Sequence, residues 1–120
     1  MEIKDRDHPI TRGLKASFPV KHDELYANLK WQPKDSYSVL ATAWDDHSLY
    51  TRRRQPPPGP GLHQPIMWTL PYGQGRVFVT VLGHVAENLE SIGFQATYVR
   101  GAEWAATGEV TLAIPAAMAE

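Results

Sequence analysis

The residue whose type and setting best suit chemistry is His84. It follows Gly83 at the end of an apolar run, Arg76-Val77-Phe78-Val79-Thr80-Val81-Leu82. In open α/β sheets ligands collect at the carboxyl ends of strands, and an imidazole titrates near neutrality. His84 therefore suits a general base or a metal ligand, with Gly83 letting a ligand approach the backbone. The plainer alternative is a histidine that caps the following helix or hydrogen-bonds within its turn. His8, His22 and His63, with Asp23 and Glu24, form an oxygen and nitrogen donor set of the kind divalent metals use. Their spacings match no metal motif, so the metal reading is the weaker one. Asp23 and Glu24 equally suit the first turn of a helix, where the dipole favours carboxylates.

Other groups carry less. Arg52-Arg53-Arg54 suits phosphate or carboxylate recognition, but a single basic run in a near-neutral chain reads more simply as a solvated loop. Pro56-Pro57-Pro58-Gly59-Pro60 reads as a spacer before it reads as a ligand for a proline-binding domain. Trp31, Trp44, Trp68 and Trp104 have faces suited to the apolar faces of pyranoses, although Trp68 and Trp104 sit on apolar elements and read as core. Gly73 and Gly75 cradle no phosphate, since no helix and no lysine follow as a P-loop requires.

The elements that must position these residues centre on 66–84. Two runs rich in β-branched and aromatic residues flank Tyr72-Gly73-Gln74-Gly75, which predicts a β-hairpin. The second run is nearly all apolar, which predicts a strand buried on both faces. Tyr37 to Trp44 predicts another strand, ended by Asp45-Asp46. Residues 47–65 predict a long Arg- and Pro-rich loop. Leu25 to Trp31 fits helical and strand spacing equally. Residues 85–107 predict a helix, in two pieces split at Gly93, with Gly108 as its C-terminal stop. Val110 to Ile114 suits a last strand or an extended tail. Met1 to Asp7 reads as an exposed lead-in and 115–119 as a frayed end.

Composition sets bounds. The formal net charge is −1, the apolar share 42% and the charged share 21%, which suits one globular domain over 1–120 and suggests neither nucleic-acid nor polybasic membrane binding. Without cysteine there are no disulfides and no thiolate metal sites. No stretch has the roughly 20 apolar residues of a membrane span, and the N-terminus lacks the apolar core of a signal peptide, so the expected location is cytoplasmic.

Taken together, several short motifs resemble the trehalose-utilisation (ThuA-like) family. They are His8-Pro9-Ile10-Thr11-x-Gly13-Leu14, Asp23-Glu24-Leu25-Tyr26, Val39-Leu40-Ala41-Thr42-Ala43 and Gly61-x-His63-x-Pro65-Ile66-Met67-Trp68. Tyr72-Gly73-x-Gly75-Arg76-Val77-Phe78, Gly83-His84, Phe94-Gln95 and Arg100-Gly101-x-Glu103-Trp104 follow in the same order. The resemblance implies a flavodoxin-like α/β fold, similar to the class I glutamine amidotransferases, and a link to disaccharide or 3-keto-glycoside metabolism. It places His8, Asp23, Glu24, Tyr26, His63 and His84 on recurrent polar positions. A divalent metal near His84 and His63 is a weaker implication. Family members are about twice this length, so the chain matches the C-terminal half. Gln64 stands where relatives often carry Glu, which removes a charge beside His63.

Three functions follow as expectations. The first is a carbohydrate-associated binding or vestigial module, with His8, Asp23, Tyr26 and His63 on the sugar. The second is a sugar-processing enzyme, with His84 as general base or metal ligand and Glu24 as its partner. The third is an assembly module, a homodimer that covers an open sheet edge and apolar face.

Overall fold

A computed structural model describes residues 1–20, 23–27, 29–46, 48 and 61–120. His22, Arg52-Arg53-Arg54 and the proline run lie outside these residues. Four strands form one sheet in the order β1 (Glu2–Ile3), β2 (Ser38–Trp44), β3 (His63–Tyr72) and β4 (Gly75–Thr80). Each neighbouring pair is antiparallel. Two helices follow, α1 (Ala86–Leu89) and α2 (Ile92–Thr107). The molecule is thus a small mixed α/β domain.

The hairpin forms where the glycines predict it. Tyr72 pairs with Gly75, which leaves Gly73 and Gln74 as a two-residue loop, and Gly73 has φ +57°. Only a residue without Cβ takes that angle freely. Thr69 pairs with Phe78, and α2 lies over the Phe78 ring. A Cβ on Gly101 would sit 2.2 Å from that ring, and one on Gly93 would sit 2.5 Å from Phe18. Gly93, Thr97 and Gly101 are four apart, so they share one helix face, and their small size sets the close approach. Ser91 caps α2 by accepting the Phe94 N–H, and Gly108 ends it at φ +87°.

The core lies between the sheet and α2. Ile3, Ile10, Leu14, Phe18, Leu40, Ala41, Ile66, Met67, Ala96 and Met118 are buried together. Arg100, only 5% exposed, fastens the 9–12 turn to α2. Its guanidinium donates to the carbonyls of Ile10 (2.7 Å), Pro9 (2.8 Å), Arg12 (3.2 Å) and Leu112 (2.7 Å). A buried cation is tolerable when its donors are matched this fully.

Several expectations from sequence are corrected. The lead-in is not exposed: Ile3 is buried and pairs with Ala41 in β2. The helix divides at Glu90-Ser91, before Gly93, because the Ser91 side chain supplies a new cap. Strand β4 is half-buried at one edge of the described sheet rather than buried on both faces. Residues 63–65, expected at the end of the 47–65 loop, belong to β3. Pro65 fits there because the register shifts beside its partner Thr42. The 115–119 end is docked: Ala116–Met118 forms a 3₁₀ turn, Met118 is buried, and Lys15 N–H donates to the Met118 carbonyl (2.9 Å). Residues 110–114 form no strand. Glu103 instead accepts the N–H groups of Thr111 (2.9 Å) and Leu112 (3.1 Å).

Candidate functional site

Asp23 organises the site. Its Oδ2 accepts the Gly83 N–H at 2.9 Å and its Oδ1 accepts the His84 N–H at 3.1 Å. Oδ1 also accepts the Glu24 N–H at 3.0 Å. One carboxylate thereby ties the 23–26 segment to the turn after β4. Gly83 has φ +105°, a conformation few other residues adopt. The turn can therefore present two consecutive N–H groups to one side chain.

This clamp sets Glu24 beside the imidazole. Glu24 Oε1 lies 3.4 Å from His84 Nε2, and Glu24 Oε2 accepts from the Tyr26 hydroxyl at 3.1 Å. Both members of the pair are about half exposed, 50% for His84 and 49% for Glu24. The Glu24 carboxylate raises the Tyr26 phenol above its ordinary value, because it accepts the hydroxyl's proton in a hydrogen bond and repels phenolate charge.

Beside this network runs a cleft of about 380 Å³. Asp23, Glu24 and Trp44 line it, with Leu25, Ile66 and Leu82 as apolar wall. Trp44 ends β2 and is 54% exposed. His63, at the start of β3, pairs with it across the sheet, and the two rings meet edge to face at 5.2 Å. His63 Nδ1 is 3.1 Å from Thr42 Oγ1, and its Nε2 is 3.7 Å from Glu2 Oε1. His63 thus supports the indole that lines the cleft.

His8 is placed elsewhere. Its ring packs on Trp104 with centroids 4.9 Å apart, and its Nδ1 accepts the Ile10 N–H at 3.2 Å. Burial disfavours the imidazolium and lowers its pKa. The structure therefore gathers Asp23, Glu24, Tyr26 and His84, joins His63 through Trp44, and sets His8 apart. Among the described residues no three His, Asp or Glu side chains form a group able to hold a metal ion. The described donors do not fit a metal centre.

Sequence reasoning did not single out Trp44 among the four tryptophans. Its position at a strand end, directly before Asp45-Asp46, was the available signal. Arg100 enters the sequence reading only within a family motif, and its neighbours give no signal of its burial, since Tyr98 and Val99 are themselves exposed.

The fold and site define a small α/β domain with a carboxylate–imidazole network at the mouth of an aromatic-walled cleft. A family model described as trehalose utilisation (ThuA) matches residues 1–105, and the chain belongs to that family. It is similar to the crystal structure of a ThuA-like protein from Parabacteroides merdae, with 33% identity and a TM-score of 0.81. The match covers 98% of this chain and 41% of that one. No curated protein matches the chain significantly.

Proposed function

We propose that the domain binds a sugar in the cleft beside Asp23, with the disaccharides of trehalose utilisation as the ligand class. The observation that carries this reading is the exposed Trp44 indole in one cleft with two carboxylates. An aromatic face suits the C–H face of a pyranose, and carboxylates accept from its hydroxyls. Tyr26 and His84 bring a hydroxyl and an imidazole to Glu24, which lines the cleft. The test is calorimetric titration with trehalose. Saturable binding, lost in Trp44→Ala and weakened in Glu24→Gln, is the expected result. Binding that survives Trp44→Ala unchanged refutes the placement.

A second reading is favoured by the His84–Glu24 contact. With Nε2 turned to the carboxylate, Nδ1 is left as the proton acceptor, so His84 would act as general base on a glycoside and Glu24 would hold and charge-stabilise it. Turnover of an oxidised (3-keto) glycoside that disappears in His84→Gln while binding persists would establish the enzyme. Equal turnover in the variant would remove it.

The finer fold reading is a flavodoxin-like layer related to the class I glutamine amidotransferases, in a cytoplasmic setting. The four antiparallel strands would border a larger mixed sheet, and antiparallel strands do occur at such borders. What supports this is a ThuA-like neighbour of which the chain covers 41%. Assembly follows the same logic. Strand β4 ends the described sheet, carries Val77, Phe78 and Val79, and has no proline to block pairing. A second copy adding its own β4 there is the partner proposed. A monomer at micromolar concentration in sedimentation would count against it.

A further inference from the structure

A second cleft, of about 300 Å³, shares no lining residue with the first. His8, Asp35, Ser36, Ser38, Arg76 and Trp104 contribute to it. Two of its groups are held in place by bonds from neighbouring residues.

His8 is one. Asp5 Oδ1 accepts the N–H groups of Asp7 and His8, both at 3.1 Å. The Thr11 hydroxyl is bonded to the Asp5 and His8 carbonyls. Arg100 holds the carbonyls of Pro9, Ile10 and Arg12 from below. Since Nδ1 accepts from Ile10, the ring's proton lies on Nε2, its one remaining donor, on a side chain that lines the cleft. Loops braced this heavily are how proteins hold a binding group in one orientation.

Arg76 is the other. Its Nε donates to the Trp104 carbonyl at 3.2 Å, and its Cζ lies 5.9 Å from the Trp104 ring centroid. This fixes the guanidinium over the last turn of α2. Its two terminal nitrogens make no hydrogen bond among the described residues, which leaves a planar donor pair of the shape that oxyanions take.

Asp35 sets the selectivity. A ligand that is only negative charge would be repelled by its carboxylate, whereas neighbouring hydroxyls would donate to it and to Ser36, whose own proton goes to the Pro33 carbonyl (2.7 Å), and exchange bonds with Ser38. We propose that this cleft binds a hydroxylated small molecule bearing one oxyanion, a carboxylate or a phosphate, with Arg76 and His8 Nε2–H on the oxyanion and Asp35, Ser36 and Ser38 on the hydroxyls. It is independent of the Trp44 cleft.

The test is an NMR titration of the full chain with D-glucuronate, glucose 6-phosphate, glucose and inorganic phosphate, following the His8 ring and the Arg76 side chain. At least one anionic sugar should give saturable shifts. Glucose and inorganic phosphate should bind at least tenfold more weakly, and the tighter of the two acids names the source of the oxyanion. Arg76→Lys should weaken binding at least tenfold, with helicity by circular dichroism as the folding control. His8→Gln, which leaves the helix end intact, should weaken it several-fold. Trp44→Ala should leave it unchanged, so this proposal and the trehalose reading fail separately. Glucose binding as tightly as the acids, no saturable shift with either acid, or unaltered affinity in a folded Arg76→Lys or in His8→Gln would overturn it.

Discussion

Replacing Asp23 by Asn tests the clamp on which the site's geometry rests. The substitution keeps shape but removes the charge and turns one acceptor oxygen into an NH₂ group. The carboxylate now accepts N–H groups of Gly83 and His84 across 60 and 61 residues, and that of Glu24 locally. An amide has one acceptor oxygen, so at least one of the two long-range N–H groups loses its partner or meets another donor. A hydrogen bond to a charged group is worth about 1.5–3 kcal/mol, and the low end applies because the Gly83 bond is only partly buried and the His84 bond is exposed. We expect a loss of about 1.5 kcal/mol. With a urea m-value of about 2 kcal/mol/M, the midpoint should fall by about 0.75 M. The variant should also lose the fixed turn at Gly83, so the His84 and Gly83 amide resonances should move toward unstructured values and broaden. A midpoint within 0.2 M of the parent (about 0.4 kcal/mol at that m-value), with those amides unmoved, would refute the clamp.

Arg100→Lys should cost about 3–5 kcal/mol, since one ammonium cannot reach four carbonyls and the remainder stay buried without a donor. Urea denaturation checks this, and a loss below about 1 kcal/mol would show that the carbonyls find other partners. His8 should titrate below the ordinary histidine value of about 6.5 by NMR. The unfolded chain then binds the proton more readily than the fold. Stability is full above the unfolded pKa and falls as pH drops through it toward the folded value. His8→Gln should flatten that part of the stability curve, and an unchanged slope would contradict the burial argument.

Much of the fold was legible because its signals are local. Gly73 had to mark the hairpin, since its φ of +57° excludes most side chains. Gly108 had to mark the end of α2 for the same reason. The mostly apolar run of Val39 to Ala43, stopped by Asp45-Asp46, marked β2. What misled were residues whose role depends on distant partners. Gly93 reads as a helix break, yet it is a helix-packing surface because Phe18 lies against it. Ile3 reads as one apolar residue in a polar tail, yet β2 buries it. The nearly all-apolar run 76–82 reads as doubly buried, yet the described sheet ends at β4.

The candidate site divides in the same way. Residue type nominated Asp23, Glu24, His63, His84 and His8, because carboxylates and imidazoles are the groups that titrate and donate, and the family resemblance added Tyr26. Which of them meet was decided by folding. Asp23 reaches His84 across sixty-one residues only because the 23–26 segment crosses the end of the β3–β4 hairpin. His8 goes to Trp104 because Arg100 anchors its turn to α2. Trp44 became a cleft wall because it ends β2 beside His63. Backbone preference and side-chain chemistry act over a few residues and can be read along the chain, whereas convergence of distant side chains depends on strand register and helix placement, which no short stretch encodes.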